Sequence, residues 1–78
     1  MGKKKIEISS FGLQVSKAIR SEMGIRRVSG RELARQIDRG ETYVRERIGD
    51  DKEWALSDIE RICELWSLSP AELLSKSE

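Results

Sequence analysis

Hydrophobic residues recur along this chain every three to four positions, the spacing that places side chains on one face of a helix. The pattern predicts five helices, at residues 10–23, 30–38, 41–48, 58–67 and 70–75, and therefore an all-α fold class. The predicted core consists of the residues on the inward faces, namely Phe11, Val15, Ile19, Leu33, Ala34, Ile37, Val44, Ile48, Trp54, Leu56, Ile59, Ile62, Trp66 and Leu73.

Serine residues mark where several of these helices begin. A serine followed three positions later by glutamate forms a capping box, in which each side chain binds the other residue's backbone N–H. Three such boxes are predicted, at Ser29 with Glu32, Ser57 with Glu60, and Ser69 with Glu72. Ser9 or Ser10 is the expected N-cap of the first helix and Gly24 its expected end.

The second and third predicted helices are separated only by Asp38, Arg39 and Gly40, which suits a sharp turn. In the third helix Val44 and Ile48 are the apolar pair that can face the core. A rotation of 100° per residue then places Thr42 and Glu46 nearly opposite, free to meet another molecule.

The pattern from Leu33 and Ala34 through Ile37, the turn, Thr42, Tyr43, Val44 and Ile48 resembles the helix-turn-helix of the lambda-repressor-like (Xre-type) DNA-binding domains. The resemblance continues through Trp54, Leu56, Ser57, Asp58, Ile59 and Ile62 to the segment Leu68 to Leu73, and is closest to actinobacterial and phage members. It covers residues 11–74 and implies a compact five-helix domain. Two departures lie in the turn, where the family usually has glycine at the position of Asp38 and a small apolar residue at that of Arg39.

The resemblance implies that the third helix reads base edges in double-stranded DNA. The positions that do so in the family correspond here to Glu41, Thr42 and Glu46. Glutamate can accept from the cytosine amine, threonine can contact the thymine methyl, and Arg45 can donate to guanine or phosphate. Glu41 and Arg45 also have the i, i+4 spacing of an intrahelical ion pair, which leaves a purely structural alternative for both.

Contacts to the DNA backbone are predicted around the same helices. Arg26 and Arg27 come just before a helix N-terminus, a position suited to phosphate. Ser29, Arg31, Arg39 and Tyr43 are assigned to the backbone as well. Residues 1–9 form a basic N-terminal arm whose Lys3, Lys4 and Lys5 either lie on phosphates or remain in solvent, and residues 10–75 form the DNA-binding domain.

Charge is divided unevenly along the chain. Residues 1–49 hold 12 Lys or Arg against 6 Asp or Glu, whereas residues 50–78 hold 3 against 8, so net charges of +6 and −5 sum to +1. A basic half that contains the predicted helix-turn-helix is the asymmetry expected of a protein that presents one face to phosphate.

Several function classes are disfavoured. The chain has no histidine and a single cysteine, Cys63, so we expect no disulfide, no metal site and an inert core thiol. No nucleophile with a paired base and no phosphate-binding glycine loop is evident, so we expect no enzyme, no cofactor and no small-molecule substrate. No apolar segment has the length of a membrane span, which favours a cytoplasmic protein.

These features lead to one main expectation and one alternative. The main expectation is a sequence-specific transcriptional regulator, a repressor of the kind found in phage immunity, with double-stranded DNA as partner and a homodimer on DNA as one assembly. The alternative is a helical protein–protein interaction module with the same fold, which the weak net charge and the acidic residues of the third helix favour.

Overall fold

Five helices make up most of residues 7–77, the part of the chain that the computed structural model describes. They are α1 (Ser10–Arg26), α2 (Gly30–Gln36), α3 (Glu41–Ile48), α4 (Leu56–Trp66) and α5 (Pro70–Ser75). No strand occurs in these residues, so the predicted all-α class is confirmed there. None of the helices found in the same range is long and apolar enough to cross a membrane.

The start of α1 is fixed by Ser9, whose hydroxyl accepts from the Gly12 N–H at 2.9 Å. Glu53, in the loop before α4, reaches back to accept from the Ser9 N–H at 3.2 Å. A Cβ at residue 12 would lie only 2.5 Å from a Glu53 carboxylate oxygen, so a larger residue here would displace the Glu53 side chain.

The end of α1 differs from the prediction, because Gly24 is helical and the helix continues to Arg26. Arg27 then adopts a left-handed conformation with φ of 58°, and the Val28 N–H donates to the Met23 carbonyl at 2.9 Å. Three more helices end on a left-handed residue that is not glycine, and these residues are Asp38, Asp50 and Ser67. In each case the backbone N–H of the following residue donates to the carbonyl five positions earlier in the chain, as in a Schellman motif.

The three predicted capping boxes have different outcomes. Ser69 and Glu72 form the complete box. The Ser69 hydroxyl accepts from the Glu72 N–H at 3.1 Å, and the Glu72 carboxylate accepts from the Ser69 N–H at 2.7 Å. Ser29 accepts from the Glu32 N–H at 3.1 Å, but the Glu32 carboxylate lies 3.6 Å from Arg35 instead of returning to Ser29.

The box predicted at Ser57 and Glu60 is wrong. Helix α4 begins earlier, with Ala55 as N-cap, and the Asp58 carboxylate accepts from the Ala55 N–H at 3.2 Å. An acid at the third helical position therefore caps α4 without a serine.

The core is built mainly from the predicted residues. Its members are Val15, Ala18, Ile19, Met23, Leu33, Ala34, Ile37, Val44, Trp54, Ile62, Cys63, Trp66 and Leu73, with Ile48 and Ile59 half-buried against them. Phe11 and Leu56 were wrongly assigned to it, since they are 56% and 83% exposed. The early start of α4 places Asp58 inward, and Leu56, two residues before it, lies about 200° around the helix.

The packing of the helices places α2 against α3. Helix α1 packs against both α3 and α5, and α4 packs against α5. Helix α2 packs against α3, where a Cβ at Gly30 would lie 3.2 Å from Ile48 Cδ1. The start of α2 therefore lies against the side of α3.

Candidate nucleic-acid interface

The start of α2 lies against one side of α3, and the two form a shallow depression of about 400 Å³. Ser29 and Arg31 contribute from α2, and Glu41 and Arg45 contribute from α3. Thr42 is exposed on the first turn of α3, next to Glu41. Four of the predicted DNA-contacting residues, Ser29, Arg31, Glu41 and Arg45, therefore line one depression. We call these four residues, together with the exposed Thr42 beside Glu41, the α2/α3 face.

Glu41 and Arg45 form the ion pair that their spacing allows, at 2.7 Å between carboxylate and guanidinium. Both side chains remain largely exposed, so the pair is a weak contribution to stability. Because the pair lies on the α2/α3 face, a bound ligand can replace either Glu41 or Arg45 as the partner of the other.

Glu46 lies one turn further along α3 and is half-buried. Its carboxylate is 3.7 Å from Arg47 and 3.6 Å from Lys52. These two cations partly neutralise Glu46, so an acid here repels phosphate less than a free glutamate would.

The C-terminal end of α3 is held by two side chains of α1. Ser16 donates to the Arg47 carbonyl at 3.1 Å, and Arg20 donates to the Ile48 carbonyl at 2.8 Å. Arg20 also pairs with Asp50 at 3.1 Å, just after α3. Because the last carbonyls of a helix lack intrahelical partners, these bonds both satisfy α3 and fix its position.

The middle of α3 is held by Asp58, a fully buried residue of α4. Its carboxylate accepts from the Tyr43 hydroxyl at 2.5 Å and from Arg39 Nε at 2.7 Å. Tyr43 is also covered by two guanidinium groups, with Arg47 3.5 Å and Arg39 5.2 Å from its ring centre. We call Asp58, Arg39 and Tyr43 the Asp58 network; it joins α4 to α3 and to the preceding turn.

The network shifts the ionisation of its members. Burial alone would raise the pKa of Asp58, but hydrogen bonds from Tyr43 and Arg39 outweigh it, and the pKa lies below its ordinary value. The same bond to Asp58, together with burial, raises the pKa of Tyr43. At neutral pH the carboxylate is therefore ionised and the phenol is a donor.

This network engages two residues that the sequence assigns to DNA phosphates. Arg39 uses Nε on Asp58 and lies 3.4 Å from Ser57 through a second nitrogen, and Tyr43 directs its hydroxyl at the buried carboxylate. Both remain half-exposed. In the unbound chain their first role is thus to position α3.

Arg26 and Arg27 have different surroundings although they are adjacent. Arg26 pairs with the buried Glu22 at 2.9 Å and lies 5.1 Å from the centre of the Trp66 ring, so it joins α1 to the end of α4. Arg27 is exposed and ends α1. Lys3, Lys4 and Lys5 lie outside the described residues.

Three residues that position the α2/α3 face, Ser16, Arg20 and Asp58, were not predicted from the sequence. Arg20 had no signal, because its partners Ile48 and Asp50 lie 28 and 30 residues away. Asp58 had a local signal, an acid in the first turn of α4, but its bonds to Tyr43 and Arg39 depend on tertiary structure.

No group of three or more potential metal ligands occurs within residues 7–77. Cys63 is buried, and burial raises the pKa of its thiol, which favours the unreactive protonated form. A comparison with protein-family models, curated proteins and solved structures found no match to this chain.

Proposed function

We propose that this protein binds double-stranded DNA sequence-specifically through the α2/α3 face and regulates transcription as a repressor of the lambda-repressor-like type. The observation that carries the proposal is the contrast between the two sides of α3. One side is fixed by Ser16, Arg20 and Asp58, while the first turn is exposed beside the start of α2. A rigid helix with a free N-terminal turn is the arrangement that reads base edges in a major groove.

Base reading is assigned to four residues of α3. Thr42 and Glu41 lie on the exposed first turn, Arg45 follows one turn later, and Glu46 lies at the edge of the face. Thr42 suits a thymine methyl, and either glutamate can accept from cytosine. Arg45 can exchange Glu41 for guanine or phosphate, and this exchange would free Glu41 to accept from a base at the same time.

Backbone contacts are assigned to the residues that surround this turn. Arg31 lies in the depression beside Glu41 and Arg45, and Arg27 is exposed two residues before the N-cap Ser29. These cations belong to the half of the chain with net charge +6, which favours approach of the α2/α3 face to phosphate. The proposal also includes Lys3, Lys4 and Lys5 as an arm on the backbone.

Titration of a labelled random duplex at about 50 and 200 mM salt tests the proposal. Binding should weaken steeply with salt, and Arg31→Gln should lower the slope of log K against log salt by roughly one. Lys17→Gln is the matched control, because Lys17 is an exposed cation on α1 that does not line the depression. Binding that is absent at low salt, or an equal effect of both substitutions, would contradict the proposal.

Selection of bound sequences from a random library tests the finer parts of the proposal. A single preferred sequence should emerge, and an inverted repeat would indicate a homodimer on DNA. The alternative, a protein-interaction module, is favoured by the Glu41–Arg45 pair, which neutralises part of the face. That alternative predicts no enriched sequence.

A further inference from the structure

A second surface lies away from α2 and α3, where the start of α1 meets α4 and α5. It is a groove of about 800 Å³ whose lining includes the buried side chains of Val15, Cys63 and Leu73. Phe11 and Leu56, which are 56% and 83% exposed, also line it. We call it the α1/α4/α5 groove.

Its size and lining are those of a binding surface. Small-molecule clefts usually enclose about 300–1,000 Å³ and are mainly apolar, and the grooves that bind amphipathic helices are apolar as well. Leaving Leu56 in water costs free energy that a bound apolar surface would recover. The wrong assignment of Phe11 and Leu56 to the core reflects the same fact: the sequence places apolar residues where the folded chain does not cover them.

Charge indicates what kind of partner fits. Leu56, Glu60 and Glu64 recur every four residues and so lie along one side of α4, where all three line the groove. Among residues 7–77, the groove lining includes two carboxylates and no Lys or Arg. Neither Glu60 nor Glu64 forms an ion pair within residues 7–77.

This charge favours a basic partner over a second copy of the same chain. A symmetric dimer through the groove would bring the Glu60 and Glu64 pairs of both copies to one interface, and such like-charge contacts are unfavourable. A helix with apolar side chains on one face and Lys or Arg beside them would fill the groove and neutralise both glutamates.

We infer that the α1/α4/α5 groove binds a basic amphipathic helix of another protein. In the part of the chain that the structure describes, the groove and the α2/α3 face share no lining residue, so a partner in the groove would not contact the residues assigned to DNA. The inference goes beyond the proposed function and does not depend on it. If DNA binding is also established, the groove is where a partner would join the bound protein.

The test uses the full chain and a labelled peptide of about 14 residues, or four helical turns, with Leu at helical spacing and Lys elsewhere. A matched peptide carries Glu in place of every Lys. Fluorescence anisotropy should show saturable binding of the Lys peptide and little binding of the Glu peptide. Glu60→Lys and Leu56→Ser should each weaken the Lys peptide about tenfold, since each removes one part of the recognition.

Asp51→Lys is the control, because it makes the same charge change at an exposed acid outside the groove. It should alter binding by less than about twofold. Denaturation midpoints measured by tryptophan fluorescence check that each variant is folded, and Leu56 is exposed enough for its substitution to be tolerated.

Four results would overturn the inference. Equal binding of both peptides would show that the charge of the peptide plays no part in binding. An equal effect of Asp51→Lys and Glu60→Lys would show that only the net charge of the protein matters, not a carboxylate in the groove. A dimer in sedimentation equilibrium that Leu56→Ser dissociates would identify a second copy as the occupant. Binding of the Lys peptide only after removal of residues 1–6 would identify the chain's own arm.

Discussion

Replacing Asp58 with asparagine preserves the shape of the side chain but removes the charge at the centre of the Asp58 network. The carboxylate accepts from Arg39, Tyr43 and the Ala55 N–H. Asparagine has one acceptor oxygen, and its amide group would face at least one of these donors. The substitution therefore weakens two bonds that tie α4 to α3 and the preceding turn, and one that caps the start of α4.

The expected loss follows from these bonds. A hydrogen bond to a charged group contributes about 1.5–3 kcal/mol, and a buried donor left without a partner costs about 1–3 kcal/mol. Partial exposure of Arg39 reduces its share, so we expect a total loss of about 3 kcal/mol for Asp58→Asn. A domain of 78 residues has a total stability of about 4–12 kcal/mol, so this loss is a large part of it. For a domain of this size the same loss should lower the melting temperature by roughly 10–25 °C.

Urea unfolding followed by the fluorescence of Trp54 and Trp66 measures this loss directly. Tyr43→Phe removes one donor to the charged carboxylate and should cost about 1.5–3 kcal/mol. In the double variant the two losses should not add, because both remove the same bond. A loss below about 1 kcal/mol for Asp58→Asn, or strict additivity with Tyr43→Phe, would refute the role assigned to the network.

Four further outcomes are expected. Acid should destabilise the fold through Asp58, because the pKa of Asp58 is lower in the folded chain than in the unfolded chain. Its contribution to the free energy of unfolding is fully present above the unfolded pKa of about 3.9 and is lost as the pH falls through the folded pKa. Urea unfolding at a series of pH values would measure this loss. Leu33→Ala should cost about 2–5 kcal/mol in urea unfolding, since Leu33 is fully buried, and a loss below about 1 kcal/mol would contradict its place in the core. Arg27→Ala should weaken preferred and random duplex equally in anisotropy titrations, whereas Arg26→Ala should mainly lower the denaturation midpoint, because Arg26 is bound to Glu22. Thr42→Ala should cost about 1–3 kcal/mol on the selected sequence and little on random DNA, and an equal change on both would exclude base reading by Thr42.

The parts of the fold that were predicted correctly depend on local sequence. Ser69 and Glu72 lie within one helical turn, and their box forms as expected. The inward direction of Val44 followed from helical periodicity, and so did the exposure of Thr42. Trp54 is buried, as an apolar ring at the end of a polar loop indicated.

The errors depend on interactions between distant parts of the chain. Leu56 was predicted to lie in the core, but the early start of α4 turns Asp58 inward in its place. That inward carboxylate is stable only because Tyr43 and Arg39, 15 and 19 residues away, donate to it. A pattern of apolar residues cannot anticipate a buried charge whose partners are set by tertiary structure.

The left-handed residues at the helix ends are strained, and this strain lowers the stability of the folded chain. Such a conformation costs roughly 1–2 kcal/mol for a residue other than glycine, somewhat less for aspartate, so four of them store an amount comparable with the stability of a small domain. Glycine at each site would relieve this strain, but the greater conformational entropy of the unfolded chain would offset about 0.4–1 kcal/mol of the gain. Yet Asp50 binds Arg20, Ser67 lines the α1/α4/α5 groove, and Arg27 is a proposed phosphate contact. Thermostable variants with glycine at these positions should therefore be easy to obtain, and each should weaken an anchor or a surface that the present side chain serves.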